Sequence, residues 1–181
     1  MKEVYEKVKN NTKTITISGL LLALAMVLPF ITGQLPRIAS RISPMHIPVF
    51  LAGYMVGGLP AMLVGVIAPL MRSLMFGMPR LFPSRIGMAF ELGAYGLILG
   101  FLWERSKKDI KAIYFCLLAA MLGGRIVWGI ASLALYSIAG NPFTVSMFMA
   151  GAFINAVPAI ILHILLIPLL AKALRKAGIL K

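Results

Sequence analysis

Four polar side chains lie inside long apolar runs of the sequence, where ordinary packing does not account for them. They are Arg72, Glu91, Arg125 and Asn155. Such groups are expensive inside a bilayer, so they usually face a cavity or pair with one another. A guanidinium binds a carboxylate through two parallel hydrogen bonds, which suits a site for an anionic ligand. The sequence therefore predicts a small polar site that binds a ligand with negative charge.

Neighbouring segments add basic and aromatic candidates for the same site. These further ligand-binding candidates are His46, Arg80, Arg85 and Trp128, and the connection before His46 contributes Arg37 and Arg41. The arginines outnumber the single acid of the predicted site, Glu91. This surplus favours an anionic ligand over a neutral one.

Each candidate also has a structural interpretation. Glu91 could form an ion pair with Arg72 or Arg125 that holds two helices together. Arg80 and Arg85 could contact lipid headgroups, and Asn155 could form an interhelical hydrogen bond. His46 could be an interfacial residue, and Trp128 could simply pack in the core. His163 is interpreted as structural, because its position in the last apolar run falls in the inner half of the membrane.

The composition indicates that helices in a membrane position these residues. The chain has 181 residues, of which 60% are hydrophobic and 13% charged, and its mean hydropathy is +0.94. Soluble domains carry about 25% charged residues. The length suggests roughly one domain, and the composition excludes a disordered chain, a disulfide scaffold and a soluble nucleic-acid binder.

Six apolar runs predict six membrane-spanning helices. They cover about residues 15–31, 45–57, 61–76, 86–103, 112–139 and 145–170, with Gly58-Leu59-Pro60 between the second and third and a loop over Gly77–Arg85. A spanning helix needs about 20 apolar residues. We predict an all-α integral membrane protein with six transmembrane helices in one bundle: an N-terminal segment 1–14, a transmembrane domain 15–172 and a basic tail 173–181.

The distribution of lysine and arginine predicts the orientation of this bundle. Twelve basic residues lie in the N-terminal segment, the connection after the fourth run and the C-terminal tail, against four in the connections on the other side. Basic residues concentrate on the cytoplasmic side, so both termini are predicted to be cytoplasmic. Chain direction then places Arg72, Glu91, Arg125 and Asn155 in the outer half, where they could converge.

Sequence signatures of enzymes are missing. The chain has no G-x-x-x-x-G-K-[ST] loop, no H-E-x-x-H and no G-x-S-x-G, and it has two histidines and five acidic residues in all. These features favour a protein that is not an enzyme and holds neither a metal nor a cofactor. The basic residues do not form one patch, which argues against a nucleic-acid partner.

Five blocks of sequence resemble the substrate-binding S component of energy-coupling factor (ECF) transporters. The blocks are Met45–Val49, Ala68–Pro79, Met88–Gly96, Gly123–Gly129 and Ala150–Pro158, and the resemblance extends over about residues 15–172. It implies a six-helix protein of the bacterial plasma membrane that captures a vitamin in an outward pocket. The loops that join spans one to two and three to four would cover this pocket.

The resemblance also implies partners. Transport requires a membrane coupling subunit and two cytoplasmic ATPases, so ATP hydrolysis is expected only in those partners. S components dock through an Ala-x-x-x-Ala pattern on the first helix. The corresponding residues here are Gly19 and Ala23, with Ala25 adjacent, and glycine in place of alanine still permits close helix contact.

The identity of the vitamin is the most detailed prediction. Similar subunits carry pantothenate, pyridoxine-type compounds or pyrimidine precursors, and the arginine surplus favours pantothenate because it has a carboxylate. Two other classes remain as alternatives: a stand-alone membrane facilitator, which would transport without ATPases, and a membrane enzyme, which would need a nucleophile and a base.

Overall fold

The computed structural model describes residues 2–31, 42–76 and 81–180, with side chains from residue 11 onward except those of residues 31 and 81. Within these ranges the chain is helical and contains no strand, which confirms the all-α prediction for the described part. Its α-helices are α1 (Lys2–Ile31), α2 (His46–Val56), α3 (Gly58–Phe76), α4 (Ile86–Arg105), α5 (Ile110–Ile138), α6 (Val145–Met149) and α7 (Val157–Lys176).

Five helical segments of the described chain are long and apolar enough to cross a membrane. They are Asn11–Phe30, Gly58–Phe76, Phe82–Arg105, Ile110–Ile138 and Val145–Lys176. The second predicted span corresponds to α2, which has 11 residues. Its length of about 16 Å is about half the thickness of the hydrocarbon core. By length, α2 does not cross the membrane alone.

Helix α2 lies in the centre of the bundle, in contact with α1, α3, α4 and α7. Its residues Val49, Phe50 and Ala52 are completely buried. A helix that is apolar on all sides is stable only when it is surrounded, and here four helices cover it.

A single residue, Gly57, separates α2 from α3. Its φ of +86° lies in the region that favours glycine. The sequence predicted a break over Gly58-Leu59-Pro60, but α3 already begins at Gly58. Pro60 fits in the first turn of a helix because the backbone N–H that it lacks would have no intrahelical partner there.

Helices α3 and α4 pack backbone to backbone along glycines. A methyl group added to Gly96 would lie 2.5 Å from the carbonyl carbon of Ala61, and one added to Gly65 would overlap the carbonyl oxygen of Leu92. Small residues allow such close approach in membrane helices. This glycine contact holds α4, and with it Glu91, in a fixed position against α3.

Two predicted boundaries differ in the structure. The single run predicted over 145–170 is divided by a π-helical turn, Ala150–Ile154, into α6 and α7. The predicted loop Gly77–Arg85 contains a kinked helical segment, Leu81–Arg85, that continues into α4. The kink lies at Phe82, whose φ and ψ of −113° and 138° are extended.

Candidate functional site

Glu91 is the centre of a buried set of polar side chains. It lies on α4 and is 4% exposed. The Tyr95 hydroxyl, one turn further along α4, donates a hydrogen bond of 2.6 Å to Glu91 Oε1. Arg125 Nη1, from α5, lies 2.9 Å from the same oxygen. A carboxylate that would be costly alone is thus paired and hydrogen-bonded.

Two histidines complete this set. His46 is the first residue of α2, and its Nε2 lies 4.0 Å from Glu91 Oε1. The His163 ring, from α7, stacks on the His46 ring with 5.6 Å between centroids and 17° between planes. His163 also hydrogen-bonds to the backbone of Ser43. Both histidines are at most 3% exposed.

Aromatic rings enclose the histidines. The Tyr95 ring lies 5.4 Å from the His46 ring, and the Phe50 ring lies 5.4 Å from that of His163. We call the five residues His46, Glu91, Tyr95, Arg125 and His163 the buried polar cluster. Four helices supply it, namely α2, α4, α5 and α7, so its geometry depends on the tertiary packing.

Three nitrogen atoms of the buried polar cluster lack hydrogen-bond partners among the described residues. They are His46 Nδ1, Arg125 Nε and His163 Nε2. A buried polar atom without a partner costs about 1–3 kcal/mol. The Arg125 Nε–H is a donor, whereas each imidazole nitrogen donates or accepts according to its tautomer. Together they can bind a ligand that offers acceptors and at least one further polar group.

The buried polar cluster has no surplus of arginine charge, because Glu91 balances Arg125. This differs from the predicted site, in which several arginines surround one acid. The described residues contain no group of three or more His, Cys, Asp or Glu side chains that could hold a metal ion.

Among the described residues, the ion-pair partner of Glu91 is Arg125, whereas Arg72 makes its contacts outside the buried polar cluster. Arg72 Nη1 donates to the carbonyl oxygen of Met26 at 3.0 Å. Its guanidinium carbon lies 5.0 Å from the centre of the Phe30 ring and 5.3 Å from that of Phe76. The negative end of the α1 dipole and two aromatic faces attract this cation, which explains its position.

Of the remaining predicted arginines, the structure describes Arg85, the last residue of the kinked segment before α4. Arg85 Nη1 donates to Met88 Sδ at 2.8 Å, and Arg85 is near enough to Arg72 to interact with it electrostatically. Arg85 is half-buried, and its Nε has no hydrogen-bond partner among the described residues. Arg37, Arg41 and Arg80 lie outside the described residues.

Trp128 lies one turn beyond Arg125 on α5 and packs against the segment that contains α6. Its ring stacks on Phe148 with centroids 6.0 Å apart and meets Phe143 edge-on at 5.7 Å. Asn155 is exposed at the end of the π-helical turn, and its backbone N–H donates to the Ala150 carbonyl at 2.8 Å. The structure therefore brings Trp128 near Arg125 along α5 but does not bring Asn155 to the buried polar cluster.

The predicted docking residues of α1 divide between two environments. Gly19 and Ala23 are exposed, and no atom outside the adjacent backbone of α1 lies within 4 Å of a Cβ added to Gly19. Ala25 is completely buried and belongs to the hydrophobic core. Gly19 and Ala23 remain available for contact with another protein, whereas Ala25 is not on the exposed surface.

Sequence reasoning missed two residues of the buried polar cluster. Tyr95 carried a usable signal, because it follows Glu91 by four residues and therefore shares its helix face. His163 was interpreted as structural from its depth in the last run. That run is divided at Ala150–Ile154, and α2 has only half the length of a membrane span. These two features bring His46 and His163 to the same depth, and no local sequence pattern encodes them.

An apolar helical bundle around a buried polar cluster defines a multi-pass membrane protein with a candidate ligand site. Residues 13–177 match the family model for the substrate-specific component of ECF transporters, and the chain belongs to this family. The resemblance in the sequence is thereby confirmed at the family level. No curated protein and no solved structure matches the chain.

Members of this family are substrate-binding membrane subunits rather than enzymes. They bind small molecules and work with a membrane coupling subunit and ATPases. The family and the apolar helices together identify the chain as the substrate-specific membrane component of an ECF importer.

Proposed function

We propose that this S component captures a water-soluble vitamin, with pantothenate as the best candidate, outside a bacterial plasma membrane. In this proposal the chain forms six membrane segments, with α2 as the short one, and both termini are cytoplasmic. The excess of lysine and arginine in the N-terminal segment, the connection after the fourth run and the C-terminal tail supports this orientation. A dedicated or shared module of one coupling subunit and two ATPases would drive uptake.

The observation that carries the proposal is the set of unpaired nitrogens in the buried polar cluster. Glu91 occupies only Nη1 of Arg125, so the Arg125 Nε–H remains free to donate to a second carboxylate. The carboxylate of pantothenate would accept this bond, and its hydroxyl and amide groups would pair with His46 Nδ1 and His163 Nε2. Binding would then remove three unsatisfied groups at once.

The neutral charge of the ion pair favours a second candidate. Because Glu91 already neutralises Arg125, an uncharged ligand would enter without adding a buried charge. A pyridoxine-type vitamin or a pyrimidine precursor has ring nitrogens and hydroxyls that suit the two histidines. Trp128, Arg80 and Arg85 would contribute to either ligand site from the outer side, and Asn155 would do so only if the turn before α7 shifted.

We expect the purified protein to retain one small water-soluble vitamin and to hydrolyse no ATP by itself. Mass spectrometry of the small molecules released on denaturation identifies the ligand, and titration with pantothenate and with pyridoxine then compares the two classes directly. Tighter binding of pyridoxine would replace pantothenate by the second candidate. ATP turnover by the isolated chain, in preparations free of ATPases, would contradict the assignment as a whole.

The exposed face of α1 leads to a prediction about docking. Gly19→Leu or Ala23→Leu should reduce association with the coupling subunit and spare vitamin binding, since bulk at a small-residue interface prevents close helix approach. Co-purification of the complex measures the effect. Ala134→Leu is the matched control, because Ala134 is also exposed but lies on α5. Unchanged complex formation in both α1 variants would move the docking face elsewhere.

A further inference from the structure

A cavity lies at the opposite end of the bundle from the start of α2. It has a volume of about 330 Å³ and is lined by residues from α1, the α2–α3 junction, the α4–α5 connection and the C-terminal tail. Its polar lining includes Lys13, Glu104 and Lys108, and its apolar lining includes Ile17 and Ile179. Cavities of this volume are within the range that accommodates small ligands.

The backbone around Lys108 is held in place by side chains. Lys108 has a positive φ of 55°. Its N–H donates to Ser106 Oγ at 3.2 Å, and Arg175 Nη1 donates to its carbonyl oxygen. These contacts join the α4–α5 connection to α7, so the wall that carries Lys108 is built by the fold.

The cavity has a positive balance of charge. Glu104 Oε1 accepts a hydrogen bond of 3.3 Å from the backbone N–H of Gly58, the first residue of α3. The positive end of the α3 dipole offsets the charge of this carboxylate. Lys13 and Lys108 form no ion pair within the described residues. Two ammonium groups are thus available to an anion.

The two lysines lie at one membrane interface. Lys13 is near the start of the candidate span Asn11–Phe30, and Lys108 lies between the spans Phe82–Arg105 and Ile110–Ile138. Apolar side chains adjoin them, since Ile17 and Ile179 line the cavity and Ile15 is 72% exposed. A cationic pocket beside an apolar, lipid-facing surface matches a molecule with an anionic head and acyl chains.

We propose that this cavity binds the phosphate group of an anionic phospholipid. Basic pockets between transmembrane helices are known to bind such headgroups. Lys13 and Lys108 contact the phosphate, and the acyl chains follow the apolar surface of α1. The site is independent of the buried polar cluster and of the vitamin.

Native mass spectrometry in detergent tests this proposal on the full chain. We expect dioleoyl phosphatidylglycerol to bind at least tenfold more tightly than dioleoyl phosphatidylcholine. The double variant Lys13→Gln, Lys108→Gln should weaken phosphatidylglycerol binding roughly 10- to 30-fold, because each lysine contributes about 1 kcal/mol near an anionic surface. Lys107→Gln is the matched control, since Lys107 neighbours Lys108 but does not line the cavity.

Four results would overturn the proposal. One is equal binding of the two lipids, and another is a Lys107→Gln effect as large as that of the double variant. The third is displacement of phosphatidylglycerol by millimolar inorganic phosphate, which would make the cavity a site for free phosphate. Unchanged lipid binding with loss of coupling-subunit association in the double variant would likewise assign the cavity to a protein contact instead.

Discussion

Arg125→Gln should both destabilise the protein and abolish tight pantothenate binding. The substitution leaves Glu91 as a buried carboxylate without its cation, 4% exposed in the bundle. Removing one partner of a buried ion pair costs about 3–5 kcal/mol. Loss of a charged contact in a desolvated ligand site weakens binding by about 2–5 kcal/mol. Thermal unfolding in detergent and isothermal titration measure the two effects.

The double variant Arg125→Gln, Glu91→Gln separates these effects. Replacing both partners removes both buried charges, so most of the lost stability should return. Pantothenate binding should remain weak, since the guanidinium is still absent. Glu91→Gln alone frees Arg125 and should keep or strengthen the binding of an anion, provided that the helices still pack. Normal pantothenate binding by the stable double variant would limit Arg125 to a structural role and favour a neutral vitamin.

Gly96→Ala should unfold or severely destabilise the bundle. The new methyl group would lie 2.5 Å from the carbonyl carbon of Ala61, and this neighbour is backbone rather than a side chain that can rotate away. Overpacking in a core costs about 1–3 kcal/mol and sometimes more. We expect the upper end, about 3 kcal/mol, because α3 and α4 must separate along their length.

Gly19→Ala is the matched control for this prediction. It makes the same chemical change on a membrane helix, but no atom outside the adjacent backbone of its own helix lies within 4 Å of the added group. Its melting temperature should equal or slightly exceed that of the unaltered protein, because alanine favours the helix over glycine by about 1 kcal/mol. Similar melting temperatures for the two variants would show that α3 and α4 do not pack through Gly96.

Composition and hydropathy were sufficient to predict the helical class, and five of the six predicted spans correspond to long apolar helices of the described chain. The apolar runs are long, and glycine and proline separate them clearly. The approximate length of α2 could be predicted from the sequence. Its place in the fold could not, because a run of 11 residues is consistent with an irregular span or with a buried core helix. The position of α2 among four other helices depends on contacts that are distant in sequence.

The candidate site was predictable in part. The sequence singled out Glu91 and Arg125 because charged or polar residues within apolar runs tend to face one another, and it offered His46 as a further candidate from a neighbouring segment. Arg72 satisfied the same criterion but lies against the end of α1, where a carbonyl oxygen and aromatic rings surround it. Chain direction gives the approximate depth of a residue, but it does not tell which way the side chain turns around its helix.

The half-length of α2 has a consequence for the order in which the protein assembles. The first residue of α2, His46, is buried in the bundle, where the backbone N–H groups of His46 and Ile47 donate to Ser43 and Pro44 and where His46 Nδ1 has no partner among the described residues. Exposed to lipid, each unsatisfied group would cost several kcal/mol. Protein contacts from α4 and α7 cover this end, and α7 begins only at Val157. During synthesis, α2 can therefore reach its final depth only after nearly the whole chain has entered the membrane.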